Sequence, residues 1–300
     1  MRAVFDCKKV AKEGGTIAVA PEGNRTYSGK TEHIKDSIVK LARLLKLPIA
    51  FYKIENGYGV KPRWSDVIRK GKMTAGVSKV IEYDEYKDLT DDELYSVIKE
   101  NLYVFEGKDT GEFYHKKSAE YLERLFYVCP KCGLSSFHSK NDEVKCNNCG
   151  LYAKYTKNKS LEWSENVGLN FVNDWYEYQN QFILDAKIDE SKKLYAEFVK
   201  VFKVIPYKHK KLLVKKARVD LYSNKAEIYG GKNYTAQKLL IEFNKSSTVT
   251  VLGKNKLNVY LDDTIYQLKG DKRFNAVKYV HLYHKLKNQT ENNDGKYLGL

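Results

Sequence analysis

What this chain lacks narrows its class before any motif is read. No apolar run reaches membrane-spanning length. The longest apolar stretch, around Leu41 to Ile54, is broken by Arg43, Lys46 and Lys53, whereas a bilayer-spanning helix needs about 20 apolar residues. The N-terminus carries Arg2, Asp6, Lys8 and Lys9 instead of the uninterrupted apolar core of a secretory signal. There are five prolines and 19 glycines, with no low-complexity tract and no internal repeat. The chain therefore reads as globular rather than disordered. Acid is also scarce: 38 Asp and Glu face 53 Lys and Arg, for a net charge of +15. The imbalance is concentrated from Tyr195 to Leu300, where 21 basic residues face nine acidic ones. Such a segment favours an anionic partner or simply a solvated surface.

What is present is enough for a sizeable core, at 300 residues and 42% hydrophobic, and the length points to two or three domains. Residues 7 to 13 have helical character and Gly14-Gly15 breaks it. Thr16 to Ala20 is a short apolar run of the kind a buried parallel strand shows. Pro21 to Arg25 is a turn. Ile34 to Leu45 repeats at helical spacing. Pro48 to Ile54 and Met73 to Ile81 read as further strands, and Thr90 with Glu93 is a capping box opening a helix through Leu102. Alternating strands and helices predict an α/β unit with a partial mixed or parallel sheet and flanking helices.

Further on, a helix is expected from Lys116 to Phe126, and mostly helix from Asn173 to Val201. From Lys211 the pattern changes to short β-rich runs: Leu212 to Tyr222, Ala226 to Tyr229, Lys238 to Phe243, Thr248 to Leu252, Leu257 to Leu261 and Ile265 to Lys269. Turn residues separate them. An amphipathic helix, about Lys272 to Lys287, carries Phe274, Val277, Val280 and His284 near one face. His281 and His284 read as helix-surface or capping residues. Gln289 to Gly295 reads as a loose tail.

Cys129, Cys132, Cys146 and Cys149 follow the spacing C-x2-C-x13-C-x2-C. Each C-x2-C pair puts two thiolates on one knuckle turn, and two knuckles supply the four sulfurs of a tetrahedral structural Zn²⁺ site with no open position for substrate. Gly133 and Gly150 each follow a second cysteine, where the knuckle needs a tolerant backbone. Lys131 and Lys145 lie close enough to ease the negative charge. Disulfides, free buried thiols and a rubredoxin-type iron are the alternatives. His138 lies between the knuckles, but four sulfurs complete the shell without it. Cys7 reads as a small residue in a helix. Four metal-type cysteines indicate a reducing compartment, hence a cytoplasmic protein.

The loop Pro21-Glu22-Gly23-Asn24-Arg25 holds the remaining chemistry. Gly23 lets the backbone approach a ligand, Arg25 offers a planar fork suited to phosphate, and Glu22 can fix the loop or accept a hydroxyl hydrogen bond. With Gly14-Gly15 and a strand before it, Lys35 and Leu41-Ala42 after it, and then Leu47-Pro48-Ile49, the order of features over residues 5 to 105 resembles the second half of a glycerolipid acyltransferase domain. Pro21 to Thr26 looks like the Phe-Pro-Glu-Gly-Thr-Arg-Ser motif of 1-acyl-glycerol-3-phosphate acyltransferases, and Leu47-Pro48-Ile49 like their later Val-Pro-Ile motif. Ala20, Asn24 and Thr26 depart from the first motif, and Ser37 stands where the family often has Gly.

The resemblance implies transfer of a fatty acyl group to lysophosphatidate, with Glu22, Gly23 and Arg25 binding the acceptor's glycerol phosphate. It also implies an acyl donor, coenzyme A thioester or acyl carrier protein. The family's general base sits in an upstream His-x4-Asp motif. Only 20 residues precede Pro21, and none of His33, His115, His138, His209, His281 and His284 has Asp five positions on. No catalytic residue is therefore assigned, and the chain is expected to be inactive as it stands. Half of the family's sheet is also expected to be missing, leaving apolar strand surfaces uncovered.

The expected organisation is residues 1–110 as the second half of the acyltransferase-like unit and 111–165 as helix and zinc ribbon. Residues 166–205 would form a helical linker, and 206–300 a small β-rich, barrel-like domain with a C-terminal helix, resembling a pleckstrin-homology domain. Its basic surface would suit the inner face of an anionic membrane. A non-catalytic lipid-binding protein is the alternative. A nucleic-acid-binding zinc ribbon is a second one, opposed by the weak basicity between Phe126 and Tyr155.

Overall fold

The computed structural model describes residues 2–206, 208–230, 232–290 and 297–299. Helix α1 (Arg2–Lys12) leads to an extended stretch and then α2 (Ser37–Leu45). Strand β1 (Ile49–Glu55), the single-turn α3 (Gly57–Val60), β2 (Thr74–Ile81), the single-turn α4 (Tyr83–Tyr86) and α5 (Asp91–Leu102) complete the N-terminal part. The ends of these helices follow from their sequence. Lys46 takes a left-handed conformation that closes α2 onto the Ala42 carbonyl, and Pro48 follows because it cannot extend the helix. At α5 the expected capping box is present: Thr90 Oγ1 accepts from the Glu93 N–H at 3.3 Å, and the Glu93 carboxylate accepts from the Thr90 N–H at 2.7 Å. Val39, Phe51, Ile81, Tyr86, Leu94 and Ile98 form the small core of this part.

The parallel or mixed sheet expected here is not formed. β1 and β2 pair antiparallel, Ile49 with Ile81 through Glu55 with Thr74. Thr16 to Ala20 makes no strand and is largely exposed: it pairs with no described strand. One face of the β1–β2 pair packs on the helices through Phe51 and Ile81. The opposite face is open to solvent, with Tyr52, Ile54, Val77 and Val80 all about half exposed.

Two helical expectations are corrected. Lys116 to Phe126 is a series of turns ending in a 3-10 turn, Leu122–Arg124. Tyr121 takes φ 78°, and the N–H groups of Ala119 and Tyr121 bond to Asn141 O and Ser139 Oγ instead of to the preceding turn. The ribbon follows, with β3 (Val128–Cys129), β4 (Gly133–Leu134), β5 (Phe137–Lys140), β6 (Glu143–Cys146), β7 (Tyr152–Tyr155) and β8 (Leu161–Trp163). Helix α6 (Val172–Asp185) ends well before Val201, and β9 (Tyr195–Ile205) begins where the apolar alternation changes to period two. Lys285 closes the end of α6 by donating to the Ile183, Leu184 and Ala186 carbonyls.

The remaining strands are β10 (His209–Leu221), β11 (Lys225–Gly230), β12 (Ala236–Glu242), β13 (Ser246–Leu252), β14 (Lys256–Leu261) and β15 (Thr264–Lys269), followed by α7 (Val277–Thr290). They make one antiparallel, curled sheet in the order β12-β11-β10-β9-β15-β14-β13. The β-rich expectation with a terminal helix holds at this level, but β9 was hidden inside the expected helical linker. Of the expected tail, Gln289 and Thr290 belong to α7, and 291–295 fall outside the described residues.

One core runs from Tyr58 and Trp64 through the ribbon and α6 into the curled sheet and α7. Arg124, 3% exposed, ties these parts together. Its guanidinium grips both oxygens of Asp66 at 2.9 Å and donates to the carbonyls of Trp64 (2.9 Å) and Lys272 (2.6 Å). Lys254 joins from the β13–β14 turn, 2.5 Å from Asp66, and the two cations hold the Asp66 carboxyl well below the usual carboxylate range. Arg124→Met should lower stability by about 2–4 kcal/mol, because it strands buried carbonyls and removes one of Asp66's partners. The urea midpoint should fall at unchanged m-value.

Candidate metal centre and anion cleft

The four cysteine sulfurs come together from two knuckle turns, all within 4.8 Å of one another. Cys129 Sγ lies 3.6 Å from Cys149 Sγ, and Cys132 Sγ lies 3.7 Å from Cys146 Sγ. A disulfide needs about 2 Å. Four thiolates around one ion with arms of about 2.3 Å lie about 3.8 Å apart, so the geometry is that of a tetrahedral metal site. Gly133 (φ 76°) and Gly150 (φ 79°) take the left-handed conformation that each knuckle requires. Backbone N–H groups of Lys131 and Cys132 point at Cys129, and those of Cys149 and Asn148 at Cys146. Burial raises the Cys129 thiol. Burial opposes ionisation of Cys146 too, but hydrogen bonds from Ser135 and these backbone groups outweigh it and bring Cys146 down to about 6. Lys131 stands near the cluster, paired to Glu165 at 2.7 Å. His138 is exposed on β5 and is not part of the cluster.

The ribbon is anchored on its inner side. Trp175 of α6 is fully buried, stacked on Phe126 at 3.6 Å, and its indole N–H donates to Val128 O at 2.9 Å. Gln179 accepts from the Tyr127 and Val128 N–H groups and donates to Leu125 O. The Tyr127 hydroxyl meets His281 Nδ1 at 2.8 Å. His281 is thus fully buried, not at the helix surface, and burial pushes it down to about 3.

Glu22, Asn24 and Arg25 line a small cleft together with Tyr27, Glu32, His33, Arg63, Tyr297 and Gly299. Gly23, at φ 70°, forms the turn that presents them. The Glu22 carboxylate accepts from the Glu32 N–H at 2.9 Å. Arg25 donates to Lys61 O at 3.2 Å, and Arg63 donates to Arg25 O at 3.2 Å and Asn24 Oδ1 at 3.0 Å while lying over the Tyr27 ring. The loop is therefore clamped from two sides. Arg63, Glu32 and Tyr297 were not identified from sequence. No spacing rule links them to Pro21–Arg25, and only the antiparallel β1–β2 connection brings Arg63 there.

Burial raises Glu22 and pushes Glu32 up to about 7, against the hydrogen bonds that Ser28 and Thr26 donate to it. Burial thus makes Glu32 less acidic than an ordinary carboxyl, which eases the negative charge in the cleft.

No family model matches the chain. Over 53 residues it is 40% identical to small ribosomal subunit protein eS31 from two strains of Methanococcus maripaludis, a stretch equal to 17% of this chain and 78% of each relative. The solution structure of the N-terminal PH domain of human ARAP2 covers 33% of this chain and 84% of its own at 19% identity, with a TM-score of 0.26. A score that low carries no argument. No helix among the described residues is long and apolar enough to cross a membrane.

Two outcomes follow. Cys129→Ser should lose the metal and disorder the ribbon, since the binding energy of a structural ion, of order 10 kcal/mol, is folding energy. Metal analysis and the near-ultraviolet dichroism of the Trp163–Trp175 cluster read it, and an ordered, metal-free variant would contradict it. The second concerns Glu32, whose folded value of about 7 lies above its ordinary 4.5. Its contribution to stability is full below pH 4.5 and is lost as pH rises through 7. Glu32→Gln should remove that loss, so urea midpoints of wild type and variant diverge between these values.

Proposed function

We propose that the chain, which over a 53-residue segment belongs to the family of small ribosomal subunit protein eS31, binds the glycerol phosphate of lysophosphatidate in the cleft beside Arg25 and does not itself transfer an acyl group. The observation that carries this reading is the convergence of Glu22, Asn24 and Arg25 with a second guanidinium, Arg63, in one cleft. The reading rests on that convergence together with the resemblance of the Pro21–Thr26 loop. Arg25 supplies charge-assisted hydrogen bonds to phosphate oxygens. Arg63 keeps the loop backbone in place and adds positive charge. Glu22 orients the loop through the Glu32 amide. His33 lines the same cleft but has no Asp in the family's spacing, so the chain binds the acceptor without turning it over. The metal is zinc and structural: four sulfurs leave no position for substrate.

The test is calorimetric titration of the full chain with glycerol 3-phosphate and with glycerol. Saturable binding of the phosphate alone is expected, weakened roughly 10- to 100-fold by Arg25→Ala, the effect of one hydrogen bond to a charged group. No phosphatidate should form from lysophosphatidate and an acyl donor. Absence of phosphate-dependent binding, or an Arg25→Ala variant that binds unchanged, removes the reading.

A second reading is favoured by one feature of the ribbon. Its outward face sets His138, Lys145 and Tyr152 side by side across β5, β6 and β7. Basic groups beside an exposed aromatic ring suit a nucleic-acid strand. An affinity for RNA that falls steeply with salt and is lost in Tyr152→Ala with Lys145→Ala would favour it.

A further inference from the structure

The walls of the anion cleft are not built alike. The loop is tied by hydrogen bonds: Glu22 accepts from the Glu32 amide, and Arg63 donates to Arg25 O and Asn24 Oδ1. Residues 297–299 supply another wall through Tyr297 and Gly299. They come from far along the chain and lie against α7. The Tyr297 ring meets His33 of the cleft at 5.1 Å and His284 of α7 at 5.2 Å. Asn288 Nδ2, also on α7, donates to Tyr297 O at 2.9 Å. Leu298 is 4% exposed and joins the main core. Gly299 takes φ 88°, and a Cβ there would run into His284 and Val280, so glycine is what lets the chain lie this close to α7.

This wall is thus anchored by a buried leucine, a hydrogen bond to its backbone and ring contacts, and Tyr297 itself is 43% exposed. It can open at lower cost than the loop, whose guanidinium bonds are charge-assisted. With residues 297–299 in place the cleft has a volume of about 40 Å³, room for roughly three waters. A phosphate group fits that space, and a glycerol attached to it does not. The Tyr297 phenol lies near Glu32: burial raises it, and the Glu32 carboxylate adds to the rise.

We propose that residues 297–299 are a latch across the cleft, closed over a bound phosphate group and displaced when that phosphate carries an organic substituent. The closed state admits a small free oxyanion, and the open state admits a phosphomonoester. The inference rests on the cleft being a phosphate site and adds how access to it is controlled. Opening takes Leu298 out of its socket, so the affinity for a phosphomonoester is reduced by the fraction of the chain that is open.

The test is calorimetric titration of the full chain with inorganic phosphate and with glycerol 3-phosphate, for wild type, Leu298→Ala and Asn288→Ala. Neither substituted residue lines the cleft. Leu298→Ala should tighten glycerol 3-phosphate roughly tenfold, the gain when an open state populated at about one part in ten becomes dominant. Asn288→Ala should act in the same direction, and inorganic phosphate should stay within about twofold in both. Hydrogen exchange of wild type gives a second readout that stands even if Leu298→Ala fails to fold. The Tyr297 and Gly299 amides should exchange faster with glycerol 3-phosphate bound than with inorganic phosphate bound. Exchange that slows instead, or folded variants that bind glycerol 3-phosphate no tighter than wild type, overturn the latch and make residues 297–299 a fixed wall. If inorganic phosphate still binds and Arg25→Ala abolishes that binding, only the latch has failed. Inorganic phosphate that binds no form of the chain overturns the phosphate reading of the cleft, and the latch with it.

Discussion

The bidentate pair between Arg124 and Asp66 is the contact on which the arrangement depends. Arg124 belongs to the turn leading into the first knuckle, Asp66 to the connection between β1 and β2, and Lys272 and Lys254 to the curled sheet's periphery. A guanidinium this deeply buried is tolerable only because several of its donors are matched and its charge is opposed. Asp66 is 37% exposed, so the pair sits at the rim of the core and water reaches its acidic side. Its geometric specificity matters as much as its energy: a planar fork gripping one carboxylate leaves little freedom in how the N-terminal connection meets the ribbon.

Behind that pair, α6 is the element shared by both candidate sites. Trp175 and Gln179 fix the ribbon. Tyr176 is buried beside His281, and burial raises its phenol, with the nearby Glu32 carboxylate adding to the rise. Glu177 reaches Lys30 at 3.2 Å, next to the cleft. Successive residues of one helix thus face the metal centre and the cleft. A metal held by the four cysteines would brace the ribbon surface on which α6 rests.

The cysteine pattern was legible because ligand spacing is local: two knuckles define their own geometry, and the positive φ at Gly133 and Gly150 could be read from residue type. The capping box at Thr90 was legible for the same reason. The sheet was not. A short apolar run such as Thr16 to Ala20 reads as a strand only if a partner edge exists, and one strand's composition does not state whether its neighbour runs parallel. Tyr195 to Ile205 was absorbed into a helix because aromatic and lysine residues sit comfortably in either period. Lys116 to Phe126 looked helical until Asn141 and Ser139 took its backbone donors, a long-range effect. The cleft was half legible: the loop could be named, but Arg63 and Tyr297 arrive through tertiary contacts without sequence spacing.

The same distinction explains why His281 was misplaced and His33 could not be assigned. Spacing along α7 puts His281 beside polar neighbours, yet Tyr127 from the ribbon offers its hydroxyl, and burial then keeps the ring neutral. A neutral imidazole bonded through Nδ1 inside a core is positioned to specify packing, not to exchange protons with solvent. His33 is the opposite case: exposed, at the cleft, with its ring against Tyr297 at 5.1 Å. In the proposed reading the cleft holds a phosphate beside its cations, and His33 at the same cleft has no Asp in the spacing that the resembled family uses.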